Sequence, residues 1–116
     1  MKIIIAALLG LALCGTAQGE MGGDDINAFC ATYHGTSDKE MDVGAAMCFG
    51  YTSGVVDTPL NNVCFPDWVN LSLITFTFKK YLSDHPELHH LNARTLAHDA
   101  FEEYFPCGKL FENRGA

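Results

Sequence analysis

The chain has 116 residues, 48 % of them hydrophobic and 18 % charged, which fits one domain with a modest core. Lys and Arg number 7 against 14 Asp and Glu, a formal net charge of −7. That balance argues against nucleic acid or anionic lipid headgroups as ligands; it fits a basic protein partner as well as plain solubility.

In chain order, the first predicted element is a leader. Met1-Lys2 precedes the apolar run Ile3 to Cys14, and small residues follow at Gly15, Ala17 and Gly19. A positive start, a short hydrophobic stretch and an A-x-A-like exit form a secretory signal peptide. The run is shorter than the ~20 apolar residues a bilayer span requires. Leu13, bulky where a lipoprotein signal places a small residue, argues against a lipid anchor on Cys14. The expected division is a signal peptide over 1–19 and one domain over 20–116, exported and free of the membrane after cleavage.

Export changes how the cysteines read. Cys14 leaves with the leader, so Cys30, Cys48, Cys64 and Cys107 remain, an even number in a short chain bound for an oxidising compartment. Each bridge would be worth about 3–4 kcal/mol, large against a total stability of about 5–15 kcal/mol. Three pairings are open. A catalytic cysteine would need a free thiolate, a base and a group orienting that base. Cys48 opens the stretch CFGYTSGVVD on an apolar helix face, so the expectation is a disulfide rather than a nucleophile.

Four segments carry helical spacing. Asp24 or Asp25 is placed to cap the first, where Ile26, Phe29, Cys30 and Tyr33 share one face. Ser37-Asp38-Lys39-Glu40 forms a capping box before the second, which lines up Met41, Ala45, Cys48, Tyr51 and Val55. Gly44, Gly50 and Gly54 weaken that helix by about 1 kcal/mol each relative to Ala, and they would let another helix backbone approach. Thr58-Pro59 ends it. The third segment, Leu71 to Phe78, alternates like a strand through Thr-Phe-Thr-Phe. Leu71, Ile74, Phe78, Tyr81 and Leu82 also make a helical face with Asn70 as cap, and periodicity leaves both readings open. The fourth runs from the cap Asn92 through Leu96, Ala97, Ala100, Phe101, Tyr104 and Phe105 to the stop at Pro106. The expected fold is all-α: a small four-helix domain stapled by disulfides.

The landmarks Cys48-Phe49-Gly50-Tyr51 with Gly54 and Asp57, Cys64-Phe65-Pro66, Lys80-Tyr81-Leu82 with His85-Pro86-Glu87, and Phe105-Pro106-Cys107 resemble the Rap/Tai-type immunity proteins. The resemblance covers about Asp25 to Cys107. It implies an all-helical, periplasmic and often dimeric protein, without catalysis or cofactor. Its partner would be a papain-like peptidoglycan amidase delivered by type VI secretion, whose cleft the immunity protein blocks. It also implies a helix over Asn70 to Ser83 and, in that four-helix layout, the pairs Cys30–Cys48 and Cys64–Cys107. The Thr- and Phe-rich third helix and the tail Glu112 to Ala116 depart from the family pattern.

Candidate contact residues follow from that reading. The connection Asp84-His85-Pro86-Glu87-Leu88-His89-His90 is the longest exposed candidate, stiffened by Pro86. Asp84, His85, Glu87, Leu88 and His89 are its expected contacts. Trp68, in the connection before the third helix, is a further one, since Trp is favoured at binding hot spots. Its plainer role is a staple against the core at the helix entry. His85, His89 and His90 also suggest a metal, but Pro86 stands where a metalloprotease helix needs Glu, so no metal site is expected. Phe29, Tyr33, Tyr51, Phe76, Phe78, Tyr81, Phe101 and Phe105 are assigned to the core or to a dimer interface. The second functional class is a periplasmic stress or chaperone-like helical protein that opens at low pH; an enzyme ranks third.

Overall fold

A computed structural model describes residues 20–35 and 41–108. The leader over 1–19, the capping box Ser37 to Glu40 and the tail Glu112 to Ala116 lie outside the described residues. Within them the chain forms four α-helices: α1 (Gly23–Cys30), α2 (Val43–Val56), α3 (Leu71–Asp84) and α4 (Ala93–Tyr104), with a 3₁₀ turn over Pro86–Leu88. The all-α expectation holds.

Helix α1 is only eight residues long, too short to persist on its own propensity. Neither Asp24 nor Asp25 caps it. The N-cap is Gly22, because the first helical N–H is taken by a backbone partner: Gly23 donates to the Leu91 carbonyl at 2.8 Å. Both aspartates sit in the first turn instead, where their charge complements the helix dipole. Ile26 and Cys30 point inward, and Tyr33 enters the core from the turn after the helix.

In α2 the cap is Asp42, whose Oδ1 accepts from the Ala45 N–H at 2.7 Å and from the Thr32 hydroxyl at 3.0 Å. These bonds hold the Asp42 carboxyl below its ordinary range and tie the end of α1 to the start of α2. Met41 therefore precedes the helix rather than lying on it. Of the three glycines expected at a helix contact, only Gly44 is close to a neighbour. A Cβ there would stand 2.6 Å from Thr32 Oγ1, whereas Gly50 and Gly54 face open space. The buried stripe is Ala45, Cys48, Thr52 and Val55.

The open choice for Leu71 to Phe78 resolves as helix. Asn70 Oδ1 accepts from the Leu73 N–H at 2.8 Å, and the Thr75 and Thr77 hydroxyls bond the carbonyls of Leu71 and Leu73. Threonine thus satisfies itself on the helix backbone, and the strand-like alternation carries no weight. Phe78 and Leu82 are fully buried, while Phe76 remains 40 % exposed. Asn92 caps α4 through Thr95 N–H at 2.8 Å, as its sequence suggests.

Packing runs α1 to α2, α2 to α3 and α3 to α4, with α1 touching all three others. Ile26, Phe78, Leu82, Leu96 and Phe101 meet in one core with the Cys30 and Cys48 sulfurs. Burying each of the large side chains contributes about 1.5–3 kcal/mol. Cys30 bonds Cys48 and Cys64 bonds Cys107, the two pairs that the family resemblance implies. The second bridge fixes the long connection between α2 and α3 onto the end of α4, where Cys64 N–H also donates to the Phe105 carbonyl at 2.8 Å. Phe65 packs edge-on against Phe101 and Phe105.

Candidate functional site

The connection between α3 and α4 is the best-defined exposed feature. α3 ends at Asp84, which pairs with Lys80 at 2.7 Å one turn back. His85 leaves the helical conformation (φ −127°, ψ 60°), as the residue before a proline does. Its ring lies 4.4 Å from that of Tyr81, centre to centre. Pro86 then opens the 3₁₀ turn, closed by Leu88 N–H on the His85 carbonyl (3.0 Å) and His89 N–H on the Pro86 carbonyl (3.3 Å). His90 Nδ1 lies 3.1 Å from the Glu87 carbonyl oxygen.

Side chains divide by direction. Glu87 points outward, with its side chain 62 % exposed and one carboxylate oxygen 3.1 Å from His85 Nδ1. Its own backbone N–H and then the His85 imidazole hold its carboxyl below the ordinary range, so it is anionic wherever the protein is near neutral pH. Asp84 and His85 share that surface. Leu88 is half-buried against the core. His89 turns inward: its side chain is 14 % exposed, and Nε2 donates to the Leu82 carbonyl at 2.6 Å. The turn therefore offers Asp84, His85 and Glu87 outward and uses Leu88 and His89 to seat itself.

Trp68 does not join them. It lies before the first residue of α3 and the turn follows the last, so 14 residues of helix, roughly 20 Å, separate the two. Trp68 is 61 % exposed, so it is not packed as a staple on the core. Val43, Met47 and Leu73 are further exposed apolar side chains that the sequence does not single out, and Phe76, assigned from sequence to the core or a dimer interface, is 40 % exposed.

Catalytic chemistry finds no purchase at Cys48. Its sulfur is bonded to Cys30 and the residue is fully buried. The histidines of the connection are engaged separately, His85 with Glu87 and His89 with Leu82. Elsewhere, His98, Asp99 and Glu102 bring one ligand atom each within 4.8 Å of one another on the half-exposed side of α4. In sequence, Glu102 stands i+4 from His98 and i+3 from Asp99, the spacings that bring side chains together on a helix surface. Burial raises the Tyr81 hydroxyl, and the charges of Asp99, Glu103 and Glu87 raise it further, which marks this end of the molecule as acidic.

The described residues form a small disulfide-linked helical domain whose α3–α4 turn places Asp84, His85 and Glu87 on its surface. The model of the Rap1a immunity proteins matches residues 12–107, and the chain belongs to that family. Membership makes it an immunity protein, directed against a toxin. No curated protein and no solved structure matches the chain. Among the described residues, no helix is long and apolar enough to cross a membrane.

Proposed function

We propose that the protein is a periplasmic immunity protein that binds a peptidoglycan-cleaving amidase delivered by type VI secretion and blocks its cleft with the Asp84–His90 turn. Residues 1–19 act as the export signal and are removed. The observation carrying the reading, beside family membership, is the turn itself: a proline-stiffened segment that exposes the Glu87 carboxylate beside His85. A papain-like cleft works through a cysteine–histidine pair. An anion seated there would meet the imidazolium, and a turn already ordered would bind without a large ordering cost.

The test is calorimetric titration of the oxidised mature protein into a purified type VI amidase from the same organism, with peptidoglycan hydrolysis followed in parallel. Saturable binding at a fixed ratio with loss of hydrolysis is expected. Glu87→Ala should weaken that affinity about tenfold or more, as at a hot spot. Failure of every such amidase encoded by the organism to bind would retire the reading. A Trp68→Ala variant distinguishes a second contact at the far end of α3 from a turn that acts alone.

A further inference from the structure

The turn is held from behind by a segment far away in sequence. Gly23 N–H donates to the Leu91 carbonyl at 2.8 Å and Ala93 N–H to the Met21 carbonyl at 2.8 Å, so Gly22 and Asn92 pair as a single antiparallel bridge. The approach is too close for any side chain at Gly23. A Cβ would stand 2.6 Å from the His89 carbonyl oxygen, 2.6 Å from Leu96 Cδ1 and 2.7 Å from the Leu91 carbonyl oxygen. Two of those three neighbours are backbone atoms of the connection itself.

His89 closes the other side. The last carbonyls of a helix lack intrahelical donors, and Leu82 near the end of α3 offers its oxygen to His89 Nε2 at 2.6 Å. The other ring nitrogen lies 3.9 Å from Asp24 Oδ1 in the first turn of α1. One mostly buried imidazole, two residues after the exposed Glu87, thus spans from the end of α3 to the start of α1.

We propose that Gly23 and His89 are positioning residues: together with the Met21–Gly23 backbone they latch the Pro86–Leu88 turn in the conformation it offers to its partner. The latch rests on the reading of the turn as the toxin-facing element, but its mechanical part is measurable in the free protein. A turn latched at both feet samples few conformations, so binding needs little further ordering. His89 then acts without touching the toxin.

The experiment compares His89→Leu, His89→Gln and Gly23→Ala with the wild-type mature protein. Amide hydrogen exchange of the free proteins is read at Leu88, His89 and Leu91, and affinity is measured against the type VI amidase of the same organism. His89→Leu should speed exchange at those three amides about tenfold or more while amides of α2 are unchanged, and should weaken binding by a similar factor. His89→Gln keeps an N–H that reaches the Leu82 carbonyl and should restore most of both. Gly23→Ala should match His89→Leu at the turn; if it does not fold, the two His89 variants carry the test. Unchanged exchange at the turn in His89→Leu would overturn the latch, as would exchange raised equally throughout the chain. Turn-specific exchange in His89→Leu with no amidase bound even by wild type would keep the latch and retire the proposed partner.

Discussion

At Glu87 a charge, a turn and an imidazole are coupled closely enough to measure. An exposed carboxylate ordinarily gains little from its neighbours, but this one accepts from its own backbone N–H and from His85. Its carboxyl is depressed, so the support it gives the turn is fully present above the ordinary value of 4.5 and is lost as pH falls through the lowered one. A carboxyl-detected NMR titration should therefore place the Glu87 midpoint below 4.5. His85→Ala should raise that midpoint only part of the way, since the backbone bond is the larger cause. Protection of the Leu88 and His89 amides should fall as pH drops through that lowered midpoint. The choice at Cys48 between nucleophile and staple also closes at this scale. The four cysteines beyond the expected leader point to a staple, and the buried Cys30–Cys48 bond is the arrangement found.

Helices test how far local chemistry decides structure. Asn70 caps α3 by a single side-chain bond, so Asn70→Ala should lower stability by about 1 kcal/mol in a urea melt. The glycines of α2 make opposite cases. Gly50 sits in a helical conformation with nothing within 4 Å of an added methyl, so Gly50→Ala should stabilise by about 0.4–1 kcal/mol. Gly44→Ala should destabilise, because the new carbon meets Thr32 Oγ1 at 2.6 Å and that hydroxyl is bound to Asp42. The caps Asn70 and Asn92 and the stops at Pro59 and Pro106 are legible in the sequence because each acts within one helical turn. α3 is ambiguous there because Thr and Phe fit a strand and a helix alike until the hydroxyls find their carbonyls. The cap of α1 escapes a sequence reading for a different reason. Its first donor is used by Leu91, and the crowding at Gly23 comes from His89, Leu91 and Leu96, none of which is close in sequence. The inward turn of His89 is hidden for the same reason, since a histidine in a polar loop looks exposed until its carbonyl partner is located.

Across the whole molecule the two disulfides do different work. Cys64–Cys107 joins residues 43 apart and pins the α2–α3 connection at the end of the molecule that carries Trp68. Cys30–Cys48 joins residues 18 apart and fastens the short helix α1 to α2. In the chain-entropy model the longer loop is worth about 4 kcal/mol and the shorter about 3, so Cys64→Ala with Cys107→Ala should lower the urea midpoint more than Cys30→Ala with Cys48→Ala. Affinity should follow the reverse order. The foot of the turn rests on Met21, Gly23 and Asp24, at the start of α1, and α1 is too short to hold its place without its tether. Loss of the Cys30–Cys48 bond therefore loosens the turn, whereas loss of Cys64–Cys107 loosens a region roughly 20 Å away along α3. Urea melts and amidase titrations on the two double variants, each still folded by circular dichroism, check the crossing of the two orders. Affinity that simply tracks stability in both variants would mean that the turn depends on the fold as a whole and not on α1.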